Sequence, residues 1–229
     1  MSWLFNSSIG RKATMSISGI FLVLFLTFHM LMNLTLVFSA EVYDTICVLL
    51  GANWYAIAAT SVLALGFVVH IVYGIILTLQ NQKARGGDKY AVTGKTTTTW
   101  ASQNMLVLGL VILGFLVLHL YHFWYKMQFS ELFHLEGAVA EGSGLVIALF
   151  SQPIYTLIYL VWLVAIWFHL THGLWSSMQS LGLNNKLWYP RVKCIANIVT
   201  TIIIIGFSVV PIFFTFKALF WAGACCPGA

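Results

Sequence analysis

Five apolar runs, each long enough to cross a ~30 Å hydrocarbon core as a helix, dominate the 229-residue sequence. Apolar residues make up 60% of the chain and charged residues only 7%, whereas a soluble domain has roughly 25% charged residues. Inside a bilayer the backbone polar groups must be satisfied within each segment, which favours helices. We therefore predict an all-α membrane protein, a five-transmembrane-helix bundle that forms one domain over residues 1–229. The predicted spans are about 15–40, 54–80, 103–126, 153–181 and 194–220.

The polar stretches between the runs are predicted to be connections. Residues 41–53 form a short connection, residues 81–102 a solvent-exposed loop and residues 127–152 a longer connection. In the last span, Gly206 and Pro211 are predicted bend points.

Positive charge is distributed unevenly between the two sides of the predicted bundle. Nine of the 11 Lys and Arg residues fall on the same side as the N-terminus, and only Lys126 and Lys217 fall on the opposite side. Because cytoplasmic loops carry the excess of Lys and Arg, we expect a cytoplasmic N-terminus and an outer C-terminus. The basic residues flank the spans and form no stripe, so the net charge of +5 does not indicate nucleic acid. Five of the six acids fall on the outer side: Glu41, Asp44, Glu131, Glu136 and Glu141.

Each of the first four runs has a histidine in its interior: His29, His70, His119 and His169. Ionisable side chains are rare in hydrocarbon, face the bundle interior and usually mark function. His29 lies 14 residues after Met15, and His119 lies 14 residues after Met105. Each is therefore about 21 Å into a span that runs outwards. His70 and His169 each lie 16 residues, or about 24 Å, into spans that run inwards. The four histidines therefore fall into two pairs at two depths.

Neutral imidazole is the usual axial ligand of haem iron, and two facing histidines at each level would hold one b-type haem there. Gly74 and Gly173 lie at i+4 from the inner histidines, where a small residue would let a flat macrocycle approach. His122 and His172 lie three residues after His119 and His169. They are interpreted as partners of the haem propionates or as other groups next to the haems. The alternative for any one histidine is a hydrogen-bonded packing role. A di-metal carboxylate site is excluded because the first four spans have no Asp or Glu in their middles.

The four cysteines, Cys47, Cys194, Cys225 and Cys226, show no C-x-x-C or C-x-x-C-H spacing. The sequence therefore predicts no zinc site, no iron–sulfur cluster and no covalently attached haem. A different regularity is the placement of Gly19 and Gly109, each ten residues before the histidine of its span, which hints at paired halves.

Several stretches together resemble the di-haem cytochrome b subunit of succinate:quinone oxidoreductases, the type with a single five-helix anchor. They are Phe28-His29 with Asn33, His70–Gly74, the His119 region and, most specifically, Phe168–Ser176. The resemblance implies two haem b groups, with His29 and His119 on the outer iron and His70 and His169 on the inner iron. Some members carry a carboxylate two residues before the ligand of the fourth span; here that position is Trp167, so proton movement across the membrane by such a group is not expected.

The resemblance also implies partners and a location. The family docks a flavoprotein subunit and an iron–sulfur subunit on its cytoplasmic face, and tends to use menaquinone near the outer haem. We therefore expect a multi-pass protein of the bacterial inner (cytoplasmic) membrane, surrounded by lipid, which is part of an enzyme but has no dehydrogenase activity alone. Docking is expected on the basic face formed by Arg11, Lys12, the 83–95 loop and the 186–193 region. Quinone protons are expected to pass through Glu41 or Asp44.

Two alternatives remain open at this stage. The chain could be a cytochrome b anchor for another respiratory enzyme, such as a hydrogenase or nitrate reductase. It could instead be a non-redox transporter whose histidines relay protons or pack.

Overall fold

In a computed structural model, residues 7–85, 99–183 and 185–221 are described, and these residues are almost entirely helical, with no β-strand among them. Five helices within these described ranges are long and apolar enough to cross a membrane. This finding confirms the predicted all-α fold and indicates a multi-pass membrane protein. In chain order the elements are α1 (Ser8–Phe38), α2 (Ala40–Leu49), α3 (Trp54–Arg85), α4 (Trp100–Gln103), α5 (Met105–His119), a π-helical segment (Leu120–Phe129), α6 (Ser130–Leu132), α7 (Ser143–Phe150), α8 (Pro153–Ser180) and α9 (Trp188–Phe220).

The first and last long helices begin earlier than predicted. Helix α1 starts at Ser8 and not near residue 15, because the Ser7 hydroxyl caps it by accepting a hydrogen bond from the Gly10 amide at 2.9 Å. Helix α9 starts at Trp188 and not at residue 194; there Asn185 Oδ1 accepts from the Trp188 amide at 2.7 Å. Both helices extend past the apolar runs from which their bounds were predicted.

The prediction of a plain connection at residues 41–53 is wrong, because most of it is the ten-residue helix α2. Ser39 both ends α1 and starts α2: its amide donates to the Thr35 carbonyl at 2.9 Å and its hydroxyl accepts from the Val42 amide at 3.2 Å. The extended backbone of Ser39, with φ −155° and ψ 121°, lets the chain turn between two helices in one residue. The connection at 127–152 is likewise partly helical.

The long helices pack with close approaches at glycines. A Cβ on Gly66 of α3 would come within 2.6 Å of the Phe21 ring on α1. Gly206 of α9, one of the two predicted bend points, lies directly against the Met30 side chain of α1. A larger residue at this position would require Met30 to move. Helix α9 continues through Pro211.

Threonine hydroxyls form hydrogen bonds between helices close to Pro211. Thr215 Oγ1 donates to the Phe150 carbonyl at 2.7 Å, which leaves its oxygen to accept from Thr156 Oγ1 at 2.6 Å. These bonds join α7, α8 and α9 at the end of the bundle that carries α2. A buried cluster holds the same end together: Leu36, Tyr43, Val146, Phe150, Tyr159, Val210 and Phe214.

Candidate functional site

The four interior histidines meet in two facing pairs. The ring centroids of His29 on α1 and His119 on α5 lie 5.8 Å apart, with the planes at 86°. Those of His70 on α3 and His169 on α8 lie 6.2 Å apart, at 68°. All four imidazoles are half-buried. The structure thus brings together the same residues that the depth argument pairs.

Aromatic rings enclose the His29–His119 pair. Phe25 stacks on His29 with centroids 5.3 Å apart, Phe207 of α9 lies 5.7 Å from His29, and Trp162 of α8 lies 5.5 Å from His119. Nδ1 of His119 is buried and has no hydrogen-bond partner among the described residues. These rings cover part of the surface of the two imidazoles.

The His70–His169 pair is flanked by a serine and two glycines. Ser18 Oγ lies 3.3 Å from His70 Nδ1. A Cβ on Gly19 of α1 would lie 3.2 Å from His70 Cε1, and a Cβ on Gly109 of α5 would lie 3.9 Å from His169 Cε1. Nδ1 of His169, like that of His119, is buried without a partner among the described residues.

The α1–α3 and α5–α8 helix pairs repeat one arrangement. Gly19 faces His70 as Gly109 faces His169, and both glycines precede the histidine of their own helix by ten residues. The glycines at i+4 from the inner histidines lie elsewhere: Gly74 meets the Met15 methyl at 3.5 Å, and Gly173 the Met105 methyl at 3.9 Å, measured from an added Cβ. Small residues therefore approach the inner imidazoles from the opposite helices and not from the helices that carry them.

The ring separation in both pairs is close to that of two imidazoles that share one metal ion. Metal–nitrogen bonds of about 2.0–2.1 Å, added to the distance from each nitrogen to its ring centre, place two such centroids roughly 6.3 Å apart. The observed separations of 5.8 and 6.2 Å are close to this value. Among the described residues no group of three or more His, Cys, Asp or Glu side chains could hold a metal ion.

The buried nitrogens also bear on the packing alternative. A histidine kept for packing normally satisfies both ring nitrogens or exposes them, and an unpaired buried polar atom needs an explanation. His119 and His169 do not fit that expectation at Nδ1. For His70, Ser18 Oγ lies within hydrogen-bond distance of Nδ1, and the Met15 backbone is a second partner of the ring. Asn33 donates to the His29 carbonyl at 2.8 Å and only approaches Nε2 at 3.5 Å, too far for a strong bond. The residues therefore fit a group with two axial imidazoles.

The two additional histidines have different surroundings. His122 is buried, with Nδ1 3.0 Å from the Tyr159 hydroxyl. His172 packs edge-on against Trp175 with centroids 5.0 Å apart, and its buried Nδ1 has no partner among the described residues. The sequence pattern offered no signal for the His122–Tyr159 contact, which joins residues 37 apart.

The predicted acids line a surface cleft at the α2 end of the bundle. The cleft has a volume of about 450 Å³ and is lined by Glu41, Asp44, Thr45, Val48 and Glu141. Asp44 is engaged: its carboxylate accepts from the Ser143 amide at 2.8 Å and from the Ser143 hydroxyl at 2.6 Å. No hydrogen bond joins the Glu41 carboxylate to any described residue.

Glu131, which falls in the predicted connection at residues 127–152, contacts the connection between the first two spans. Its Oε2 accepts a hydrogen bond from the Ala52 amide at 3.2 Å. Gln128 Nε2 donates to the Gly51 carbonyl at 2.9 Å in the same region. These bonds fold the third span's continuation back onto the connection between the first two.

Two ionisable side chains of α2 lie outside the long spans: Tyr43, which is buried, and Cys47, which is half-buried. Burial, together with the nearby Cys47 and Asp44, raises the pKa of the Tyr43 phenol above its usual range. Burial also raises the pKa of the Cys47 thiol, although the Gly142 backbone opposes the shift. Both groups are therefore neutral near pH 7.

Part of the predicted docking face lies outside the described residues, namely Lys89 and Lys95 of the 83–95 loop. Fold and site together define a multi-pass helical membrane protein with two facing histidine pairs between its helices. Comparison with protein-family models, curated proteins and solved structures finds no match.

Proposed function

We propose that this chain is the membrane anchor and electron-transfer subunit of a succinate:menaquinone oxidoreductase or quinol:fumarate reductase. The observation that carries the proposal is the meeting of four interior histidines, one from each of four successive spans, in two pairs whose separations suit a shared metal. Packing alone does not require that the four histidines meet in facing pairs.

In this proposal His29 and His119 hold one haem b, and His70 and His169 hold the other. A haem with two imidazole ligands supplies one-electron transfer and has no open position for oxygen. The remaining residues orient and shield: Ser18 fixes the His70 ring, and Phe25 and Phe207 exclude water around His29. Low local polarity and fixed ring orientation are the means by which a protein tunes such a centre.

The proposed partners are a flavoprotein subunit and an iron–sulfur subunit on the cytoplasmic face, in a bacterial cytoplasmic membrane. The excess of basic residues at the N-terminal end of the bundle supports this orientation. Electrons would pass between those subunits and the quinone through the two histidine levels.

The proposed quinone reacts near the His29–His119 pair, with Glu41 or Asp44 passing its protons to water. Quinol oxidation releases two protons with its two electrons, so the site needs a proton acceptor near the surface. Glu41 is better suited than Asp44, because both oxygens of Asp44 are already hydrogen-bonded to Ser143.

The test is a reduced-minus-oxidised spectrum of the purified complex and of four alanine variants. The wild type should show two low-spin b-type haems. His29→Ala or His119→Ala should remove one of them or convert it to high spin, and His70→Ala or His169→Ala should do the same to the other. Alanine variants that all keep two unchanged low-spin haems would refute the assignment.

A matched control is His134→Asn, which removes a histidine outside the pairs. His134 has a φ of 51°, which Asn tolerates well, so this variant should fold and keep both haems. A wild-type protein without b-type bands would favour the transporter. Two haems together with the subunits of a hydrogenase or nitrate reductase would favour the other anchor.

A further inference from the structure

A second histidine lies buried beside the His29–His119 pair. His122, only 8% exposed, belongs to the ten-residue π-helical segment that begins directly after His119. π-Helical geometry is rare and often occurs at functional sites. The His122 ring stacks on Tyr159 at 6.1 Å and 21°, and Nδ1 lies 3.0 Å from the Tyr159 hydroxyl.

Tyr159 connects the two histidines physically. Its ring centroid lies 6.1 Å from that of His119 on one side and 6.1 Å from that of His122 on the other. A molecule bound to His122 would therefore be separated from a candidate haem ligand by a single side chain.

His122 has one unused hydrogen-bonding atom. Tyr159 occupies Nδ1, and Nε2 has no partner among the described residues. The tautomer follows the direction of the Nδ1 bond. When the tyrosine donates, Nε2–H is a donor for a carbonyl; when Nδ1–H donates to the tyrosine, Nε2 accepts from a hydroxyl. One imidazole can thus bind both a quinone oxygen and a quinol hydroxyl.

Further aromatic rings lie beside His122, and one of them is exposed on the surface of the helix bundle. Tyr155 lies edge-on to His122 at 5.3 Å, and Tyr121, 59% exposed, lies 6.1 Å away. Tyr121 stacks in turn on Tyr125 at 5.9 Å. An interfacial aromatic belt accounts for the exposed tyrosines, but it gives no reason to bury a histidine behind them.

We propose that His122 Nε2 binds the ring oxygen of the quinone substrate, and that Tyr159 orients His122 for this purpose. The occupant is a quinone because a flat, lipid-soluble ring matches the tyrosine faces and carries oxygens for one imidazole nitrogen. This inference rests on the proposed function and specifies its quinone site.

The test uses the complete complex with its soluble partners and a soluble naphthoquinol as the electron donor. His122→Phe should weaken binding of the matching naphthoquinone, measured by calorimetry, about tenfold, and raise KM for the naphthoquinol similarly. Tyr159→Phe should weaken binding by a smaller factor, and His122→Gln should restore part of it. Activity with an artificial donor that bypasses quinone should stay unchanged in all three.

The matched control is His134→Asn, which removes a histidine outside both pairs and should leave naphthoquinone binding at the wild-type value. Wild-type affinity and KM in His122→Phe with unchanged haem bands would overturn the inference. If His122→Phe disturbs the haem bands, Tyr159→Phe provides the test, because it removes only one hydroxyl. Unchanged naphthoquinone affinity in Tyr159→Phe would also overturn the inference. Failure of the proposed function is separate, since the wild-type complex would then lack b-type bands or quinol activity.

Discussion

Substitution of Gly19 by alanine tests how tightly the inner histidine pair is enclosed. The new Cβ would lie 3.2 Å from His70 Cε1 and 3.6 Å from His70 Nδ1, so the ring must move by a few tenths of an ångström. Gly109→Ala is the matched control in the repeated half of the bundle. Its Cβ would meet His169 Cε1 at 3.9 Å, which is an ordinary van der Waals contact.

The expected difference follows from two opposing contributions. Replacing Gly by Ala within a helix stabilises the fold by about 1 kcal/mol. Overpacking costs about 1–3 kcal/mol when the neighbour cannot move freely. His70 is held by Ser18 and, in the proposed function, by a metal. Gly19→Ala should therefore be neutral or destabilising by up to about 2 kcal/mol, whereas Gly109→Ala should be stabilising by about 1 kcal/mol.

The assay compares thermal unfolding of the two variants in detergent, together with their reduced-minus-oxidised spectra. We expect Gly19→Ala to unfold at a lower temperature than Gly109→Ala and to perturb only the haem assigned to His70 and His169. Equal unfolding temperatures and equal spectra would show that His70 moves freely, and would refute the tight enclosure.

Two predictions concern the α2 end of the bundle. Asp44→Ala should lower the free energy of unfolding by about 1–3 kcal/mol, since it leaves the Ser143 amide without its acceptor, whereas Glu41→Gln should change it by less than about 0.5 kcal/mol. Urea unfolding measures both changes, and an equal effect in the two variants would contradict a stabilising role for the Asp44–Ser143 hydrogen bonds. Loss of quinol activity in Glu41→Gln alone would support a role of Glu41 in proton transfer. In a chain whose two C-terminal cysteines are changed to serine, a maleimide should label exposed Cys194 before Cys47 at pH 8. Because the pKa of the Cys47 thiol is raised, labelling of Cys47 should accelerate only as the pH rises above the usual thiol range. Fast labelling of Cys47 at pH 8 would contradict the partial burial of this thiol.

The five long helices were predictable because the bilayer imposes their length and apolar character. The start of α8 at Pro153 also follows from local chemistry, since proline suits the first turn of a helix. The early start of α1 was not predictable from hydropathy, because the segment around Arg11 and Lys12 continues the helix beyond the apolar run. There the Ser7 cap, and not solvent polarity, sets the boundary.

At the candidate site, helical rise was enough to pair the histidines by depth. It could not give their neighbours, which depend on the rotation and packing of separate helices. The ten-residue spacing of Gly19 from His29 was visible in the sequence, but its meaning was not, since Gly19 faces a histidine of α3. The π-helical segment leaves no mark in the apolar pattern, because a wider turn changes which residues face inward without changing composition.

That same ten-residue interval has an electrical consequence. Gly19 lies at the level of His70, so the two histidine levels are separated by about 15 Å along α1, roughly half of a ~30 Å hydrocarbon core. A full crossing of the membrane changes the energy of one elementary charge by about 2.3 kcal/mol per 100 mV, so a half crossing changes it by about 1.2 kcal/mol. In the proposed function, each 100 mV of membrane potential would therefore shift the distribution of an electron between the two levels by about sevenfold. The membrane potential would therefore favour one direction of turnover over the other, because the two histidine levels lie at different depths in the membrane.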